Sequence, residues 1–133
     1  MQMVKKLLIV GIIYAVTAVV LGALGAHALE KHLTIDQLKS FETGVRYQMY
    51  HALALILVAS IPGITNKTKK MVLYFFSIGV ILFSLSIYLL TTASLWSFNF
   101  SFLGPVTPIG GLLLICGWIV LLWKIISNNS VNR

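Results

Sequence analysis

MVLYFFSIGVILFSLSIYLLTTASLWSFNFSFLGPVTPIGGLLLICGWIVLLW, residues 71–123, holds no Asp, Glu, Lys or Arg in 53 consecutive positions. As one helix rising 1.5 Å per residue it would reach about 80 Å, against a bilayer hydrocarbon core of about 30 Å. The run therefore contains two membrane spans with a turn between them. Ser97, Asn99, Gly104, Pro105 and Pro108 gather turn formers and helix breakers between 94 and 108.

The rest of the chain divides by the same rule. Leu7 to Leu29 is 23 residues interrupted only by His27, more than the roughly 20 that a spanning helix needs. Tyr47 to Asn66 is the next run free of acidic and basic side chains, and Pro62-Gly63 supplies its stop. The expected fold is all-α: a four-transmembrane-helix bundle with spans near 5–29, 46–62, 71–93 and 107–126, in a single integral membrane domain over residues 1–133. Composition agrees, with 59% hydrophobic and 10% charged residues and a mean hydropathy of +0.96, where a soluble domain carries about 25% charge.

The charges orient the bundle. With the N-terminus in the cytoplasm, the inner side holds Lys5, Lys6, Lys67, Lys69, Lys70, Lys124 and Arg133, and the outer side only Lys31, Lys39 and Arg46. Seven against three places both termini in the cytoplasm of a multi-pass cell-membrane protein. Glu30, Asp36 and Glu42 all fall outside, so the outer face is formally neutral and the inner face carries the whole +7. Anionic headgroups of the membrane lipids are the expected partners of the inner lysines, and the positive charge gives no reason to invoke nucleic acid. Ala26-His27-Ala28 resembles a signal-peptidase site, but the apolar run before it exceeds the usual h-region of about 7 to 15 residues. The lone Cys116 excludes an internal disulfide and a multi-cysteine zinc site.

Between the first two spans, Thr34-Ile35-Asp36-Gln37 fits a capping box. It predicts a short interfacial helix beginning at Ile35 that runs on towards the second span, with Gly44 as a place to bend or to meet another helix. Leu38, Phe41, Val45, Met49 and Ala52 fall on one stripe at 100° per residue, with the polar residues opposite. On that polar side Glu42 and Arg46 stand at i, i+4 in the favourable order, Tyr50 continues their row, and Tyr47 and His51 form another beside it. Ionisable residues inside a membrane are costly and mark function, so Arg46, His51, His27, Glu42, Tyr47, Tyr50, Gln48 and Thr107 are the candidate ligand-binding residues.

The other spans supply their surroundings. Ala18, Gly22 and Ala26 form a small-xxx-small row on span one, whose outer end brings His27 to the same side as His51. Ser77, Ser84, Tyr88 and Thr91 share a face of span three suited to hydrogen bonds between helices. Gly104-Pro-Val-Thr107-Pro-Ile-Gly110-Gly111 opens span four with a helix N-terminus that favours anions. Trp96, Phe98, Phe100 and Phe102 alternate with Ser97, Asn99 and Ser101, the pattern of an extended aromatic edge seated at headgroup depth.

GALGAH, FETGVRYQMYHALAL, Tyr88-Leu-Leu and GPVTPIGG with the following Gly117-Trp118 together resemble the small four-span membrane-protein family UPF0382, which includes bacterial YwdK and YgdD and eukaryotic transmembrane protein 256. The resemblance covers most of the chain. It implies a four-helix plasma-membrane protein in bacteria and implies no biochemical activity.

Three classes of function stay open on the residues alone. The first is a binding or transport module with an outward-facing polar pocket for an anionic headgroup or small anion; proton-coupled efflux is disfavoured by the lack of a midplane acidic residue or internal repeat. The second is a metal or haem protein in which His27 and His51 ligate, with Glu42 as third ligand or base. The third is a structural subunit of a membrane complex or a homo-oligomer built on the small residues of span one. No cofactor and no catalytic residue follow from the sequence.

Overall fold

The run 71–123 folds as two helical rods separated by a turn, in a computed structural model that describes residues 1–129. Arg133, one of the basic residues counted on the inner side, lies outside the described residues. The α-helices are α1 (Gln2–His27), α2 (Ile35–Ser60), α3 (Asn66–Val80), α4 (Ser86–Thr91) and α5 (Val106–Asn129). A π-helical turn, Ile81–Leu85, joins α3 to α4 in one rod, so four rods result and no strand occurs among the described residues. Gln2–Lys31, Asn66–Thr91 and Ser101–Ser127 are long and apolar enough to cross a membrane. α2 has similar length but carries Asp36, Lys39, Glu42 and Arg46 in its first half.

Local chemistry sets the boundaries. Thr34 accepts from the Gln37 amide at 3.3 Å while the Gln37 side chain accepts from the Thr34 amide at 2.9 Å, which is the capping box expected of this segment. Residues from Ile35 onward are the first turns of α2, not a separate short helix, and the rod passes Gly44 without interruption. α2 stops at Ser60, ahead of Pro62 and a Gly63 whose φ of 77° an L side chain rarely adopts. The buried Lys69 Nζ donates to the Ala59 carbonyl at 2.9 Å, placing a cation on the negative end of α2. Residues 92–105 replace the expected extended edge with two 3-10 turns, Ala93–Leu95 and Ser101–Leu103. Phe98 packs tilted against Phe100 and edge-on against Phe102 at centroid distances of 5.0 and 6.3 Å, so ring contacts and turn formers override the alternation.

Packing follows the glycines. α1 packs chiefly on α2, α3 chiefly on α5, and α2 joins the two pairs along the α3 rod. A Cβ on Gly11 would lie 2.8 Å from Ile56 Cγ1 and 2.9 Å from the Ala52 carbonyl, and Gly25 meets Phe41. The row on α1 that approaches α2 is therefore Gly11, Ala18, Gly22 and Gly25, while Ala26 is exposed. At the other pair, Gly79 meets Leu114, Gly117 meets Phe76, and a Cβ on Gly110 would sit 2.4 Å from the Phe83 amide nitrogen within the π turn. Small residues at such contacts let backbones close to distances that a bilayer, which offers no hydrophobic drive between helices, would not otherwise reward.

Candidate functional site

Because Gly25 faces Phe41, Gly22 faces Val45 and Gln48 reaches Thr17, the register of α1 against α2 is fixed along the whole pair. Arg46 consequently lies between the levels of Gly22 and Thr17, in the outer half of α1 and about two turns inside its end at His27. It is exposed, as is Glu42 one turn earlier. Arg46 Nη2 donates to Thr43 Oγ1 at 3.3 Å rather than to Glu42. Beside the two charges a cleft of about 190 Å³ opens between α1 and α2, lined by Gly22, Gly25, Phe41, Glu42, Val45 and Arg46. The glycines make the cleft, since a side chain at either position would occupy it.

About half a turn deeper, on the opposite side of α2, lies a closed polar network. Gln48 is 5% exposed. Its Nε2 donates to the Tyr14 carbonyl at 3.0 Å and to Thr17 Oγ1 at 2.6 Å, and its Oε1 accepts from Tyr88 OH at 2.9 Å. Ser84 Oγ, inside the π turn, donates to the Gly44 carbonyl at 2.8 Å, and Tyr14 OH donates to the Ser77 carbonyl at 3.1 Å. Three rods are thus tied through one glutamine. Gln48 belongs to this network rather than to the cleft.

His51 is buried and satisfied at both nitrogens. The Trp118 indole, which can only donate, gives its Nε1–H to His51 Nε2 at 3.1 Å. That assignment leaves the proton on Nδ1, which donates to the Tyr47 carbonyl at 2.7 Å. The Phe76 ring packs on the imidazole at 4.9 Å. His27 is exposed at the end of α1. Ala52 faces Gly11 and Gln48 reaches Tyr14, so His51 stands about 13 residues below His27 along α1, about 20 Å. The two histidines do not share a pocket: the Gly11 contact draws His51 deep into the bundle. Among the described residues no group of three or more His, Cys, Asp and Glu side chains is arranged to hold a metal ion.

The remaining candidates separate as well. Tyr47 packs on Phe83 at 4.9 Å, and Tyr50 is exposed on the same row as Glu42 and Arg46. Thr107 Oγ1 and Ser86 Oγ share a hydrogen bond of 2.7 Å that closes α5 onto α4. The structure therefore brings together Glu42 and Arg46, with Tyr50 next along the row, and disperses His27, His51, Gln48 and Thr107. Trp118 and Tyr14 were not expected as partners of α2. The only sequence signal for them is a hydrogen-bonding aromatic within an apolar run.

A family model described as "Protein of unknown function (DUF423)" matches residues 21–111, a span that includes the whole cleft. The chain is 38% identical over 118 residues to a UPF0382 membrane protein of Staphylococcus haemolyticus, covering 89% of this chain and 93% of that one. It is 41% identical over 121 residues to the UPF0382 membrane protein YwdK of Bacillus subtilis, covering 88% and 93%. No solved structure matches.

Proposed function

The chain belongs to the DUF423 family, the UPF0382 membrane proteins, and from that premise we propose that it is a four-span binding module of the cell membrane whose Arg46 cleft takes a phosphate-bearing lipid headgroup. After Arg46, α2 has only 14 uncharged helical residues, Tyr47 to Ser60, about 21 Å of helix against a hydrocarbon core of about 30 Å. If α2 is the second span, its charged first half enters the membrane. The outer turns from Ile35 then form the interfacial part of the rod, both termini face the cytoplasm, and residues 1–129 make one membrane domain.

The level of Arg46 against α1 carries this reading. An arginine costs about 2.5 to 3.5 kcal/mol at the centre of a span on insertion scales; about two turns inside the outer end the cost is smaller, and a partner or outward snorkelling relieves it. Among the described residues its only side-chain bond goes to a threonine hydroxyl. A phosphate drawn down from the outer leaflet supplies the bidentate, charge-assisted acceptor that a guanidinium binds best. The cleft is smaller than the roughly 300 to 1,000 Å³ of pockets for drug-sized ligands, which suits a headgroup whose acyl chains stay in the bilayer.

Native mass spectrometry of protein released from vesicles of mixed phospholipids tests this. Arg46→Gln is expected to lower the retained phospholipid about tenfold, the size of a charge-assisted hydrogen bond. Retention unchanged in a folded Arg46→Gln protein would remove the proposal.

A further inference from the structure

The geometry points to a ligand that carries an amine as well as a phosphate: an aminophospholipid of the outer leaflet, its phosphate on Arg46 and its ammonium on Glu42. This rests on the Arg46 reading above and adds the selectivity of the same cleft. Glu42 and Arg46 both line the cleft and both are exposed, yet Arg46 bonds to Thr43 rather than to Glu42. Their i, i+4 spacing is the one at which such a pair ordinarily closes on itself. A purely anionic ligand on Arg46 would leave Glu42 as a like charge beside it, which works against binding. A headgroup with both signs satisfies both side chains, and ion pairs gain strength as water is excluded from them.

The order of the two residues fits the same headgroup. α2 enters the membrane at Ile35, so Glu42 lies about 6 Å shallower than Arg46. An ethanolamine phosphate held by Arg46 can turn its amine back towards water and reach Glu42 with its two-carbon arm. The flanking surface suits the rest of the lipid: Leu53 and Leu57, which continue the Arg46 row of α2, are exposed and apolar below the charges. A trimethylated amine offers Glu42 no hydrogen-bond donor, and a glycerol headgroup offers it no charge.

The experiment uses the full chain in vesicles of palmitoyl-oleoyl phosphatidylethanolamine and phosphatidylglycerol in equal amounts, with lipid retention read by native mass spectrometry. The wild-type protein is expected to retain the ethanolamine lipid about fivefold over the glycerol lipid, the size of one ion pair. Glu42→Gln, a change at an exposed position, should bring that ratio to about one, with retention of the ethanolamine lipid falling and that of the glycerol lipid holding or rising. Equal retention of both lipids, or a preference untouched by Glu42→Gln, would overturn the amine assignment while leaving the Arg46 reading standing. Retention indifferent to Arg46→Gln would overturn both. Displacement of the bound lipid by an equal concentration of soluble glycerophosphoethanolamine would overturn the assignment to a lipid.

Discussion

Gln48 shows how a single polar side chain holds helices together where apolar burial gives no advantage over lipid. Both of its amide donors and its carbonyl are used, on α1 and α4, within one network. Tyr88→Phe removes the donor to Gln48 Oε1 and leaves that oxygen unsatisfied at 5% exposure. The expected loss is about 0.6 kcal/mol and at most about 1.7, the range measured for inter-helix hydrogen bonds in a membrane protein. Unfolding in mixed detergent micelles measures it, and the double mutant with Gln48→Leu should lose less than the sum of the single changes. A fully additive double mutant would show that the two residues do not share a bond. His51 belongs to the same scale: its depth and its polar chemistry suggest a ligand site, but Trp118 and the Tyr47 carbonyl already use both of its nitrogens.

At the level of elements, close approach between rods is set by glycines whose neighbours differ. Gly110 sits against the backbone of the π turn, with its Cβ position 2.4 Å from the Phe83 amide nitrogen and 2.7 Å from the Leu82 carbonyl carbon. Backbone cannot swing aside as a side-chain end does. Gly110→Ala is therefore expected to cost about 1 to 3 kcal/mol or more through overpacking. Gly111→Ala meets only the Phe83 ring at 3.7 Å, an ordinary contact, and should be neutral or stabilising by up to about 1 kcal/mol through helix propensity. Unfolding midpoints of the two variants decide this, and equal effects would contradict the packing described. The same turn explains why α3 and α4 are one rod: the wider π turn carries Ser84 to the Gly44 carbonyl while the helix continues. A π turn leaves no mark in hydrophobic periodicity, so nothing in residues 81–85 announced it.

For the whole molecule, the question is whether α2 crosses the membrane. A four-span protein with its N-terminus inside has residue 67 in the cytoplasm and residue 97 outside; a three-span protein lacking α2 as a span has them reversed. With the exposed Cys116 replaced by serine, a membrane-impermeant maleimide applied to intact cells is expected to label Ser97→Cys and to leave Lys67→Cys unlabelled. The opposite pattern would refute the four-span topology, and with it the depth of Arg46 on which the lipid site stands.

The sequence by itself determined the all-helical membrane class and several helix ends. The uncharged run 71–123 required two helices because a bilayer has a fixed thickness, and Thr34, Gln37, Pro62 and Gly63 act on their own backbone within a few residues. Only the tertiary structure decided which side chains meet. His27 and His51 are expected from the sequence to share an outer pocket, yet the Gly11 contact with Ala52 and Ile56 sets a register that separates them. The same register leaves Glu42 and Arg46 together beside Gly22 and Gly25. Capping and helix length are local properties that a short window contains, whereas register is settled by close contacts summed along two helices, each made by residues far apart in the chain.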